Sequence, residues 1–231
     1  MKETTKILWS GITGRTGSHA LRYQKEVGNV EIVTGICRSN DNYYNYEQLN
    51  EITEEFDVIV DFSHTDSFDK ILNFAIQKNK PLIIGTAKLT EEQSLAIESA
   101  ANIIPIFRGG NFQFKVKKFI DDIVEYAKNN DDLKLIETHY KTKKIPSETS
   151  KVIVRRVKEE TGKDIAVESR LEYDDLINDY VVGDLHCRVC GFEQLSKDVL
   201  KIAKLMKHKK PSGVYDLDRL LREEETNENN N

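Results

Sequence analysis

The chain has 231 residues, 39% hydrophobic and 32% charged, with a net charge of 34 − 39 = −5. That length suits one large domain or two small ones. The interspersed charges argue against a membrane span and a globally disordered chain, and the mild acidity offers no basic face to nucleic acid.

The first half alternates short apolar runs with amphipathic stretches. Ile7-Leu8-Trp9 reads as a buried strand, followed by a helix from about Gly14 to Val27. Strands are predicted at Val30–Cys37, Phe56–Phe62, Pro81–Gly85 and Ile103–Phe107. Phe68, Ile71, Leu72 and Ala75 recur at helical spacing between the third and fourth strands, and Leu95 and Ala101 less clearly between the fourth and fifth. Strands alternating with helices imply parallel pairing through right-handed crossovers. After Gly110 the pattern changes. A helix is predicted over Phe112–Lys128, a strand over Leu133–Tyr140 and a polar loop over Lys141–Pro146. A helix over Ser150–Glu160, strands at Ile165–Leu171 and Tyr180–Cys190, and a helix over Lys197–His208 follow. The fold class is therefore α/β: a Rossmann-type, doubly wound parallel sheet plus a smaller α+β domain. The predicted boundaries are 1–110, completed by 196–222, for dinucleotide binding, 111–195 for substrate binding and oligomerisation, and a disordered acidic tail over 223–231.

Gly11-Ile12-Thr13-Gly14-Arg15-Thr16-Gly17 lies between the first strand and the first helix. Glycines at this spacing permit a sharp turn and let backbone N–H groups approach a pyrophosphate at the helix N-terminus. After the second strand, where NAD binders place a carboxylate for the ribose 2′-hydroxyl, the chain reads Gly35-Ile36-Cys37-Arg38-Ser39. Arg38 and Arg15 could face a 2′-phosphate instead, which favours NADP and leaves NAD open.

In the strand Leu133–Tyr140, period-2 alternation puts Leu133, Leu135, Glu137 and His139 on one side. His139 at the strand end, then Lys141, Lys143 and Lys144, then Pro146-Ser147-Glu148-Thr149 at a helix start, make a site for an anionic ligand. Histidine changes charge near neutral pH, so His139 could deliver a proton. Cys187-Arg188-Val189-Cys190 lacks the second pair a zinc site needs, and its thiols fall on opposite strand faces, so no metal is expected. His64, after Asp61-Phe62-Ser63, reads as a loop histidine. Three cysteines (Cys37, Cys187, Cys190) make no disulfide framework. With the polar start Met1–Lys6, which shows no signal peptide, they predict a cytoplasmic protein.

The order glycine loop, Asp61-Phe62-Ser63, Gly85-Thr86, Gly110-Asn111-Phe112, Glu137-Thr138-His139, Pro146-Ser147 and Gly213-Val214-Tyr215 resembles the dihydrodipicolinate reductase family of lysine and diaminopimelate biosynthesis. That family carries G-x-x-G-R-M-G, D-F-[ST], G-T-T-G, A-N-F and E-A-H-H-x-x-K-x-D-x-P-S-G-T in this order. The resemblance covers about residues 6 to 221 and describes a divergent, shortened member. It implies NADPH or NADH as cofactor, held by Gly11, Gly14, Arg15, Thr16 and Gly17. Arg38, Phe62, Ser63, Gly85, Thr86 and Asn111 would complete that site. It makes His139 the proton donor and Lys143 its carboxylate-binding partner. Tyr140, Glu148 and Thr149 fall with Lys143 among the substrate residues. The implied reaction is reduction of 4-hydroxy-tetrahydrodipicolinate (dihydrodipicolinate) to tetrahydrodipicolinate. The implied assembly is a homo-oligomer, a tetramer through the second domain's sheet, with a dimer open.

The departures from the pattern are local. The family's paired histidines fall on Thr138-His139 or His139-Tyr140, so one imidazole remains; the loop before Pro146 is one residue short, and Glu148 stands where the family has glycine. A carboxylate about 4 Å from a substrate carboxylate repels it by roughly 4 kcal/mol at ε ≈ 20. Two alternatives follow: a related oxidoreductase for another small carboxylated substrate, or a non-catalytic NADP-binding sensor.

Overall fold

The alternation of apolar runs with amphipathic stretches becomes a parallel sheet with helical crossovers. The computed structural model describes residues 3–109 and 111–229. Gly110 at the predicted boundary, Asn230 and Asn231 of the predicted tail, and Met1 and Lys2 lie outside the described residues. In chain order the elements begin with β1 (Thr5–Ser10), α1 (Arg15–Val27), β2 (Val30–Ile36), β3 (Val58–Asp61), α2 (Thr65–Lys78), β4 (Leu82–Ile84), α3 (Glu91–Ala100) and β5 (Ile106–Arg108). There follow α4 (Phe114–Asn129), β6 (Lys134–Tyr140), α5 (Glu148–Thr161), β7 (Ala166–Tyr173), β8 (Ile177–Val182) and β9 (Leu185–Cys190). The chain then runs through α6 (Glu193–Met206), β10 (Val214–Tyr215) and α7 (Leu217–Asn229). Among the described residues two units form. One holds residues up to Gly109 and from Leu195 on, and the other is the stretch inserted between them.

The first unit is a six-stranded parallel sheet in the order β10-β5-β4-β3-β1-β2. Its inner strands are buried on both faces, so they read as unbroken apolar runs: Ile7, Leu8, Trp9, Val58, Ile59 and Val60 are all fully buried. From β1 the chain steps outward to β2, then returns to the other side as β3. That reversal puts the carboxyl ends of β1 and β3 at a topological switch point, where such sheets bind ligands. Ile103 and Ile104, predicted to open the fifth strand, instead finish the turn after α3, their N–H groups bonding the Ala100 carbonyl at 2.8 and 2.9 Å.

The second unit is a four-stranded sheet in the order β7-β6-β8-β9, with β6 parallel to β7 and antiparallel to β8. Phe119, Ile120 and Ile123 of α4 and Ile153 and Val157 of α5 share one core with Leu135, Val182 and Val189. The predicted strand Tyr180–Cys190 is two strands. Val182 pairs with Leu185 across a two-residue turn, and Gly183 supplies the positive φ (54°) that such a turn requires.

The tail predicted to be disordered from Glu223 continues α7 as far as Asn229. Its acidic composition is matched from elsewhere in the chain. Lys209 Nζ lies 3.1 Å from Glu223 and 2.8 Å from Glu224, and Arg219 meets Glu223 one turn away. Leu217 and Leu220 anchor the helix start in the core.

Candidate active site

In the first unit, β1 ends at Ser10 and the chain turns through Gly11, whose φ is +79°. A Cβ on Gly11 would stand 2.2 Å from the Phe62 carbonyl oxygen, and one on Gly17 would stand 2.5 Å from the Ile12 carbonyl oxygen. Gly14 precedes α1 with no side-chain cap, and the first turn carries no acidic residue. Bare backbone at the positive end of the helix dipole is a cradle that suits a dinucleotide's phosphates. Arg15 is exposed beside it. Thr16 is buried, and its carbonyl accepts the Ser196 hydroxyl at 2.9 Å.

Arg38 is exposed beyond β2, its Nη2 lying 3.4 Å from Asp66 Oδ2, which also meets His64 Nδ1 at 3.2 Å. The carboxylate missing from the end of β2 is thus supplied by the first turn of α2. This contact is invisible in the sequence because it joins residues 28 apart. It partly neutralises the Arg38 cation.

The carboxyl ends of β3 and β4 are tied through Thr86. Its hydroxyl donates to Asp61 Oδ2 at 2.6 Å and accepts the Ser63 N–H at 2.9 Å. The Phe62 ring lies directly on Gly85, where a Cβ would be 2.3 Å from it, and stacks on Trp9 with centroids 5.7 Å apart. Phe62 and Ser63 are therefore fixed by Gly85, Thr86, Trp9 and Asp61. The Asp61 carboxyl is fully buried, and Oδ1 meets no hydrogen-bond partner among the described residues. Burial raises its pKa, and the bonds from Ser63, Thr86 and Ser10 only partly oppose this.

An acid with a raised folded pKa gives stability that is complete below its unfolded pKa and is lost as pH rises through the folded one. Asp61→Asn, which keeps the acceptor for Thr86, is therefore expected to be more stable than wild type at pH 8 by about 1–3 kcal/mol. The gap should close towards pH 4. Thermal scans at both pH values check this, and a variant less stable at pH 8 contradicts it.

In the second unit, strand alternation turns Leu135, Glu137 and His139 inward, and all three are fully buried. His139 Nε2 lies 2.8 Å from Glu137 Oε2. Glu137 also accepts the Ser147 N–H at 3.1 and 3.2 Å, the Ser169 hydroxyl at 2.5 Å and the Ser150 hydroxyl. Burial would push this carboxyl up, but the donors from His139, Ser147, Ser150 and Ser169 outweigh it and hold it well below the usual carboxylate range. The His139 and Tyr180 rings pack in a T-shape, their centroids 5.3 Å apart. Tyr180 is buried, which raises its hydroxyl pKa; the hydroxyls of Thr149 and Ser147 offset part of that rise. Ser147 caps α5, accepting the Ser150 N–H at 3.2 Å.

The structure thus gathers His139 and Thr149 around Tyr180, with Glu137 behind His139. Tyr140 and Lys143 are half-buried at the strand's end, Lys143 Nζ lying 5.7 Å from the Tyr140 ring centre. Glu148 is not part of this cluster. It is exposed and accepts Lys151 Nζ at 2.6 Å, while Lys144 and Lys143 help keep it ionised. Asn111 belongs to this unit, its Oδ1 accepting the Gln113 N–H at 2.9 Å in the turn before α4. Cys187 is buried and Cys190 exposed, on opposite faces of β9.

The family described as dihydrodipicolinate reductase, N-terminus, matches residues 5–112, which include the glycine loop and all five strands from β1 to β5. A 4-hydroxy-tetrahydrodipicolinate reductase of Caldanaerobacter subterraneus is 30% identical over 153 residues, 64% of this chain and 61% of that protein. The chain therefore spans about three fifths of that relative's length. One from Clostridium tetani is 24% identical over 94% of this chain and 96% of its own. A dipicolinate-bound dihydrodipicolinate reductase from Paenisporosarcina sp. TG-14 shares the fold with a TM-score of 0.74 at 14% identity, over 92% of this chain and 97% of that one. A myo-inositol dehydrogenase from Corynebacterium glutamicum shares it with a TM-score of 0.61 at 10% identity, over 90% of both chains. The family match covers the glycine loop, and the C. tetani alignment takes in nearly the whole chain. The chain is thus similar in sequence to dihydrodipicolinate reductases, over residues 5–112 to the family's N-terminal part, and shares the fold of a solved one.

Proposed function

We propose that the protein reduces 4-hydroxy-tetrahydrodipicolinate to tetrahydrodipicolinate with NADPH or NADH, in lysine and diaminopimelate synthesis. The observation that carries this reading is the buried Glu137–His139 pair beside the α5 start, in a chain whose first unit holds a phosphate cradle. The bound nicotinamide supplies a hydride. Gly11, Gly14 and Gly17 expose the backbone that holds its phosphates, with Arg15 and Thr16 at the same helix start, and Phe62, Ser63, Gly85 and Thr86 form a stiff floor for the nicotinamide end. Arg38, shared with Asp66, serves either the 2′-hydroxyl or the 2′-phosphate.

His139 gives the proton, and Lys143 and the hydroxyl of Thr149 bind substrate carboxylate. Tyr140 takes the place of the family's second histidine, and Asn111 shapes the turn into α4. Glu148, paired with Lys151, acts as a helix-start charge and not as a substrate ligand, which removes the like-charge objection to a dicarboxylate.

We place the enzyme in the cytoplasm: its three cysteines are free, and no helix among the described residues is long and apolar enough to cross a membrane. A homo-oligomer, tetramer or dimer, suits the second sheet; light scattering decides between them.

The test is oxidation of NADPH and NADH at 340 nm, with substrate made in situ by a dihydrodipicolinate synthase from pyruvate and aspartate semialdehyde. Turnover is expected to fall by ~10²–10⁴ in His139→Ala and in Lys143→Ala. A wild type that binds NADPH but turns nothing over overturns the proposal.

A further inference from the structure

We propose that Glu137 is a positioning residue that grips His139 through Nε2, so that Nδ1 is the ring atom that exchanges a proton with substrate. The inference rests on the functional reading above and assigns the atom that does the work. Among the described residues, the Glu137 carboxyl accepts the Ser147 N–H and the hydroxyls of Ser150 and Ser169, and His139 Nε2 lies within hydrogen-bonding distance of it. Such a set suits the ionised carboxylate, which then fixes the proton of Nε2 between the two side chains. Two donors on α5 and one on β7 already hold the carboxylate, so the histidine is not needed to satisfy it.

Nδ1 is the remaining polar atom of the ring. It is buried and has no hydrogen-bond partner among the described residues. Directly across on β8, the residue paired with His139 is Asn178, and its Oδ1 is also buried without a partner. Paired residues on adjacent antiparallel strands point to the same face. Two unmatched polar atoms on one face, from two different strands, therefore mark the side on which polar atoms of a ligand belong. Around the ring stand Glu137 on its own strand, Tyr180 and Asn178 on β8, and Leu171 as its register partner on β7. Of these, Glu137 alone carries a charge at neutral pH.

In the step assigned here, the Nδ1–H bond of the imidazolium breaks and its electron pair stays on the ring. With the substrate's 4-hydroxyl lost as water and hydride supplied by the bound cofactor, the proton bonds to the substrate carbon next to the one that has accepted hydride. The neutral ring keeps its Nε2 proton on Glu137, and solvent restores the proton at Nδ1.

Two measurements test this. In wild-type protein labelled with ¹⁵N-histidine and free of substrate, the neutral His139 ring is expected as the Nε2–H tautomer. In Glu137→Gln, which keeps an acceptor for Nε2 but loses the charge, the alkaline limb of the kcat/KM profile is expected to move down by about one pH unit or more. At pH 8.5 that lowers activity about tenfold, with little loss at pH 6. An Nδ1–H tautomer in the wild type, or an unmoved profile in a folded Glu137→Gln, overturns the proposal. Failure of the functional reading looks different: the wild type oxidises no NAD(P)H while the tautomer is still Nε2–H.

Discussion

Gly11→Ala is expected to cost at least about 3 kcal/mol of stability and to weaken NAD(P)H binding by roughly a hundredfold or more. Two penalties meet at this position. A φ of +79° disfavours any side chain by roughly 1–2 kcal/mol, and the new Cβ would lie 2.2 Å from the Phe62 oxygen and 2.7 Å from its carbonyl carbon. Both atoms are backbone, so no rotamer change relieves the clash. Either the glycine turn or the Phe62-Ser63 segment has to move, and both belong to the proposed dinucleotide site. Gly28→Ala separates the two penalties, because Gly28 has φ +67° with nothing within 4 Å of its Cβ position. It should lose only the conformational part and bind cofactor normally. Thermal scans and fluorescence titration with NADH compare the pair; equal losses would mean that the Phe62 contact yields freely.

Glu137→Ala is expected to destabilise the second unit by about 3–5 kcal/mol. Alanine leaves the His139 Nε2, the Ser147 N–H and two hydroxyls without their buried acceptor, each worth about 1–3 kcal/mol when unsatisfied. The loss carries a pH signature. Glu137's folded pKa lies below its unfolded value, so its contribution is complete above the unfolded pKa of a glutamate, about 4.3. It drains away as pH falls from there towards the folded value. Wild type and variant should therefore differ most at pH 6–7 and approach each other below pH 4. Urea unfolding followed by far-UV circular dichroism at several pH values measures the gap; a gap that widens in acid contradicts the assignment.

What the sequence makes visible depends on the range of the interaction. The glycine loop is legible because its three glycines sit between an apolar run and a helix within a single stretch of chain. Glu137 and His139 are legible as a pair because a period of two puts them on one strand face. Ser147 is visible as a helix cap. Ser169 is not, since it reaches Glu137 only through the parallel register of β6 and β7, set by a crossover of some 30 residues. The Asp61–Thr86, Arg38–Asp66 and Phe62–Gly85 contacts are hidden for the same reason, each joining elements that only the sheet order makes neighbours. The hairpin at Gly183-Asp184 is a different case: its turn signal is local, but the apolar residues on both sides, from Tyr180-Val181-Val182 to Leu185, Cys187 and Val189, read as one strand. The polar tail misleads because its partners, Lys209 and Arg219, lie outside the segment whose composition suggests disorder.

The inserted second unit also sets an order of events during synthesis. The edge of β5 is covered only when β10 arrives beside it, and the Thr16 carbonyl at the glycine loop's helix waits for the Ser196 hydroxyl. Both partners emerge from the ribosome after the whole of the second unit. A nascent chain that has reached Gln194 has made every glycine of the phosphate cradle but still shows an open strand edge, the kind of surface that recruits other chains. The first unit is thus begun first and finished last.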